Sequence, residues 1–119
     1  WQELKQFFPS DAKQRIIWKF SVDATWLVNQ WKAEGWKCWG YSYPDHVADG
    51  RLNGWAGPWD YLGMSFEADQ ATWTKILALG KPVWAHICAT RDQYNQAMQK
   101  GAAGCMVSGV ANILTESLV

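Results

Sequence analysis

The sequence predicts an α/β protein, parallel strands alternating with helices packed outside them, and three observations carry that reading. Apolar residues recur at three-to-four spacing in three segments, each stopped by a glycine: Gly35, Gly80 and Gly101. After every one of these glycines comes a short apolar run instead of a second helix. The runs are near-continuous in apolar residues, as strands covered on both faces are, and strand–helix–strand alternation implies a parallel sheet with right-handed crossovers.

Taken in order, Arg15 to Ser21 is the first expected strand. From Ala24 to Glu34, Ala24, Leu27, Val28 and Trp31 fall at i, i+3, i+4 and i+7, the stripe of an amphipathic helix with Asp23 as its N-cap. Trp36 to Ser42 is the second strand. Tyr43 to Asp60 holds Pro44, Gly50, Gly54, Gly57 and Pro58 and reads as a long loop leaving the carboxyl end of the sheet. It is either a ligand-facing segment or a packing insertion pinned by Trp55 and Trp59. Tyr61 to Glu67 is a strand, followed by a helix from Asp69 to Leu79 that Asp69 caps and that Trp73, Ile76 and Leu77 stripe. Pro82 to Cys88 is a strand. Thr90 to Lys100 is a helix, with Thr90 and Gln93 at capping-box spacing and Tyr94, Ala97 and Met98 on its apolar face. Gly104 to Gly109 is the last strand, and Ala111 to Leu118 a short closing helix.

The 119 residues have room for one core, against a typical domain of roughly 100–150, so 1–119 is expected to be a single domain. Hydrophobic residues are 49% and charged residues 18%, with 11 basic against 11 acidic side chains, which places the chain with soluble globular sequences. Without a basic surplus, nucleic acid is not an expected partner. No apolar run approaches the ~20 residues that span a bilayer. Cys38, Cys88 and Cys105 are odd in number and form no C-x-x-C pair, so buried, reduced core thiols are expected and neither a disulfide framework nor a structural zinc site. The redox compartment stays open. Ten tryptophans exceed what a small core needs and leave indoles for a surface, and a start at Trp1 suggests a cleaved or excised piece.

Two architectures fit this order: an open doubly wound sheet, or part of a (β/α)8 barrel whose full length is typically ~250 residues. The segment Gly80-Lys81-Pro82-Val83-Trp84-Ala85-His86-Ile87, followed by Gln99-Lys100-Gly101-Ala102-Ala103-Gly104-Cys105-Met106-Val107-Ser108, resembles the C-terminal end of glycerophosphodiester phosphodiesterases. His86 takes the aromatic position of a late barrel strand in that family, and Gly101 and Gly104 take the two glycines that lead into the last strand. Ile16 to Ser21, Cys38 to Ser42 and Tyr61 to Glu67 fall in an order compatible with the middle strands. Departures are plain. Ile87, Cys88 and Ala89 stand where the family has Thr-Val-Asn, and Ser108 and Gly109 where it has Thr-Asp. The family's His-Arg-Gly opening, Glu-x-Asp metal pair, second His-Asp and Glu-x-Lys strand do not occur here.

The resemblance therefore implies the second half of a barrel for phosphodiester hydrolysis. On that reading no residue of this chain is catalytic or a metal ligand, and the chain alone is inactive. A calcium or magnesium ion and the acid–base histidines come with the N-terminal half of the barrel, or another chain that covers the exposed sheet edges. The competing reading is a non-catalytic structural module that binds a cell-surface glycan or polyol phosphate within a larger assembly such as a phage virion.

The residues themselves supply candidates for holding a small phosphodiester or glycan. Lys19 interrupts the apolar run Ile16-Ile17-Trp18-Lys19-Phe20, which suits a phosphate or carboxylate binder or an edge-strand lysine. Trp39, Tyr41 and Tyr43 alternate along one strand and share a face, either to stack on sugar rings or as core. Glu67 ends its strand, facing a site or simply solvated. His86 lies between Ala85 and Ile87, as a ligand contact or a satisfied core histidine. The other histidine, His46, lies in a different element with no nearby pair of carboxylates, so a complete metal site is not expected.

Overall fold

All five expected strands are present, and they pair in the order in which they occur. The computed structural model describes residues 2–111. Two short helices, α1 (Gln2–Lys5) and α2 (Ala12–Arg15), precede β1 (Ile17–Ser21), α3 (Thr25–Ala33) and β2 (Lys37–Tyr41). Next come α4 (Pro44–Ala48), α5 (Leu52–Trp55), β3 (Tyr61–Ser65) and α6 (Gln70–Leu77). β4 (Val83–Cys88), α7 (Arg91–Gln99) and β5 (Gly104–Val107) complete the series. The closing helix expected beyond Ala111 lies outside the described residues.

The sheet is parallel throughout, with order β1-β2-β3-β4-β5. A doubly wound sheet reverses its strand order at a switch point, and this one never does, so that alternative is corrected in favour of a half-barrel. Right-handed crossovers in one direction put every helix on the same face. The sheet also curls: the Lys19 ammonium on β1 reaches Met106 Sδ on β5, 3.7 Å away and across all the intervening strands. Overall extents of 45 × 37 × 18 Å leave room in the short dimension for one sheet and one helical layer, at about 10 Å each. Among the described residues β1 and β5 each pair on one side only.

The core lies between the sheet and its helices. Cys38, Leu62, Met64, Val83 and Ala85 point outward from the strands and are fully buried, against Val28 and Trp31 of α3 and Trp73 and Ile76 of α6. Burying such side chains contributes about 1.5–3 kcal/mol each. Trp18 and Phe20 meet Trp31 edge-on at ring separations of 5.7 and 5.5 Å.

Asp69 caps α6 by accepting from the Thr72 N–H at 2.8 Å, and Thr90 accepts from the Gln93 N–H at 3.2 Å. Gln93 Oε1 reaches back to the Ala89 N–H, one residue earlier than the expected box. Asp23 does not cap α3. Its carboxylate accepts from Ser21 Oγ at 2.6 Å, and the N-cap position falls to Ala24.

The stretch from Tyr43 to Asp60 is not a structureless loop. It is the β2–β3 crossover, in which α4 and α5 stand where a single helix would. Pro44 opens α4, and Leu52, Ala56 and Trp59 are buried. Asp60 closes it, pairing with Lys32 at 2.7 Å and accepting from the Cys38 N–H at 2.8 Å.

Trp59 is fully buried and donates from Nε1 to the Val22 carbonyl at 3.1 Å. Its ring lies on Gly40, where a Cβ would come within 2.6 Å of Trp59 Cδ2. Gly40→Ala must push a ring that has no room to move and should cost about 1–3 kcal/mol. Urea unfolding checks this, and an unchanged midpoint would show that the ring does not depend on the missing side chain.

Candidate functional site

Parallel pairing aligns residues of neighbouring strands, so their side chains share a face. Lys19 pairs with Trp39, Trp39 with Tyr61, Tyr41 with Gly63, Gly63 with Trp84 and Ser65 with His86. All of these alternate with the outward core residues and so form the inner, concave face, which none of the described helices covers. Four of the five candidate ligand contacts, Lys19, Trp39, Tyr41 and His86, come together here.

The Lys19 ammonium sits 4.9 Å from the centroid of the Trp39 ring and 4.9 Å from that of Tyr41. Two aromatic faces and the Met106 thioether are its neighbours, and no carboxylate pairs with it among the described residues. Partial burial lowers its pKa. The ring faces offset some of the lost hydration, since cation–π contact stabilises an ammonium by about 0.5–2 kcal/mol, but they do not neutralise the charge.

His86 lies beside both rings, at 6.0 Å from Tyr41 and 6.3 Å from Trp39. Burial pushes its pKa below the ordinary 6.5, the Lys19 charge pushes the same way, and a hydrogen bond to the Ser42 main chain opposes both. The imidazole is therefore neutral near pH 7, with a nitrogen lone pair to offer. Its Nε2 and the Nε1 of Trp39 are buried with no partner among the described residues. Both rings lie against Gly63, where a Cβ would meet Trp39 Nε1 at 2.7 Å and His86 Cδ2 at 3.2 Å. Sequence reasoning missed Gly63. A glycine inside an apolar strand signals just such a close approach.

Glu67 does not join this group. It is exposed, two residues past the end of β3, where its main-chain N–H donates to Ser65 Oγ at 3.1 Å. The aromatic ladder does continue past the strand. Tyr41 meets Tyr43 at 5.7 Å, Tyr43 meets His46 at 5.7 Å, and His46 meets Trp55 at 5.3 Å, all edge-on. Trp59 departs from it and serves the opposite face, as described above.

A divalent cation does not fit the described residues. No group of three His, Cys, Asp or Glu side chains comes together among them, and the nearest charge to His86 is the positive Lys19. No helix among the described residues is long and apolar enough to cross a membrane. A cleft of about 430 Å³ opens elsewhere, beneath the N-terminal segment, lined by Lys5, Phe8, Lys13, Glu34 and Trp36 among others. None of the inner-face candidates borders it.

No family model matches the chain, and no curated protein matches it. Solved structures share its fold. A crystal structure from Agrobacterium tumefaciens C58, of a protein assigned as a glycerophosphoryl diester phosphodiesterase, matches with a TM-score of 0.60 and 17% identity. That match covers 88% of this chain and 45% of the other. The structure of the Amycolatopsis orientalis BexX/CysO complex matches with a TM-score of 0.51 and 23% identity, over 76% of this chain and 40% of the other. The class defined by fold is thus an α/β half-barrel, which this chain shares with part of each of these proteins. This chain spans less than half the length of either solved counterpart.

The coupling of Lys19 to His86 is measurable. His86 should titrate below 6.5 by imidazole proton NMR, and Lys19→Met should move its midpoint upward by removing a positive neighbour. A folded pKa below the unfolded one means that His86 costs nothing above pH 6.5. As pH falls through 6.5 the unfolded chain takes up a proton that the folded ring refuses, so stability is lost there, and His86→Gln should flatten that loss. A midpoint that ignores Lys19→Met would show the two groups to be uncoupled.

Proposed function

We propose that this chain is the ligand-holding part of a glycerophosphodiester phosphodiesterase-like barrel, with phosphodiester cleavage dependent on groups from a second segment. The observation that supports it is the Lys19 ammonium, partly buried on the concave face without a counter-charge among the described residues and flanked by the neutral His86. An anion placed there would gain a charge-assisted contact from a lysine whose desolvation is already part of the fold. The Trp39 and Tyr41 rings set the orientation of that lysine, and the neutral His86 beside them leaves it the positive charge that an anion would meet. Glu67, beyond β3, stands outside this arrangement and would contact only a longer ligand. The partner is the other half of the barrel, or a chain that pairs with the open sides of β1 and β5. The divalent cation and the acid–base groups reside there.

A second reading rests on the aromatic series from Tyr41 through Tyr43 and His46 to Trp55, with Tyr43 half-exposed at its middle. Ring faces in a row suit the apolar faces of sugars, as in a binding module of a larger assembly.

Titration calorimetry with glycerol 3-phosphate separates the two. On the first reading it binds, and Lys19→Met weakens binding about tenfold to a hundredfold, the worth of one charged hydrogen bond at about 1.5–3 kcal/mol. On the second, oligosaccharide binding is lost with Tyr43→Ala and is indifferent to Lys19. The 119 residues alone should not turn over glycerophosphodiesters in calcium or magnesium. Clear turnover would refute the division of labour.

A further inference from the structure

We propose that Cys88 and Cys105 are a redox-active pair that closes to a reversible disulfide between β4 and β5. The two thiols lie on adjacent parallel strands, 17 residues apart, with their Sγ atoms in contact at 2.6 Å. Ala85 pairs with Cys105 and Cys88 with Val107, and the register shifts between them, which turns Cys88 toward the outward side that Cys105 occupies. Both are free thiols in the structure, as is Cys38. Cys105 is only half-buried, unlike the core thiol its sequence context suggests. Cys38 sits on β2, where Asp60 and Lys32 are its charged neighbours and no thiol is.

Exposure assigns the order of events. A hydroperoxide reaches the accessible Cys105 first, transfers one oxygen to its sulfur and leaves as water or an alcohol, giving a sulfenic acid. The Cys88 sulfur, already in contact, then attacks the Cys105 sulfur. The S–O bond breaks, the Cys88 proton leaves with the hydroxyl as a second water, and the S–S bond forms. Two thiols have passed two electrons to one peroxide. Burial first, and the neighbouring Cys105 second, push the Cys88 thiol up to about 12, so it does not begin the reaction, and its contact with Cys105 is what gives it the resolving role. The bond would close the β4–α7–β5 unit into a loop. It would tie down β5, a four-residue strand that among the described residues pairs with β4 alone.

Trypsin separates the three cysteines, cutting after Lys37, Arg51, Lys75, Arg91 and Lys100. After stoichiometric hydrogen peroxide and alkylation of the full chain under denaturing conditions, the Cys88 and Cys105 peptides should be joined, 2 Da lighter than their sum, while the Cys38 peptide is alkylated. Dithiothreitol should restore both thiols, and hydrogen exchange at β5 should be slower in the oxidised protein. Cys38→Ser should leave the product intact, and Cys105→Ser should abolish it. A Cys88 peptide still alkylated beside a Cys105 oxidised to sulfinic acid, or a link through Cys38, would overturn the proposal. Both are read on the unaltered chain, so the result stands if a variant fails to fold.

Discussion

A parallel sheet is stable only if both its faces are kept from water, and nearly everything in this protein follows from how it meets that demand on one side and half-meets it on the other. Outside, helices α3, α6 and α7 and the α4–α5 crossover seal the strands with Trp31, Trp73, Ile76 and Trp59. Inside, the described residues form no second layer. The curl of five strands brings inner-face side chains close enough to cover one another: Tyr61 stacks on Trp84 at 4.4 Å, Trp84 meets Trp39 at 5.5 Å, and Lys19 reaches Met106. Large rings suit that task because a few of them cover a concave surface that aliphatic side chains would leave open.

The same packing creates the site. Lys19 would be an ordinary solvated lysine on a flat sheet. Curled over Trp39 and Tyr41, its ammonium trades water for ring faces, and its field adds to the burial that lowers the His86 pKa. Gly63 makes this possible by yielding the space that the edges of Trp39 and His86 occupy. Trp39 Nε1 and His86 Nε2, buried there with no hydrogen-bond partner among the described residues, are costly to the fold, by about 1–3 kcal/mol each.

Much of the architecture was legible because its signals are local. Helices α3, α6 and α7 announced themselves by spacing and by the glycines that follow them, and the caps at Asp69 and Thr90 are contacts within a single turn. The Asp23 cap failed for an equally local reason, since Ser21 offers that carboxylate a nearer donor. Helices α4 and α5 were hidden because Pro44, Gly50 and Gly54 read as loop, whereas proline is at home in a first helical turn and short helices survive when packing holds them. Trp55 and Trp59 are four residues apart and look alike in sequence, yet one joins the inner series and the other seals the outer face.

Period, composition and punctuation in the sequence determined the alternation of strands and helices and the parallel sheet. Those properties depend on neighbours a few residues away. The choice of half-barrel over open sheet, the side on which each residue lies, the exclusion of Glu67 and the meeting of Cys88 with Cys105 were decided only in three dimensions. Each depends on the register and curl of strands separated by whole helices, and that pairing is settled by the packing of the entire sheet.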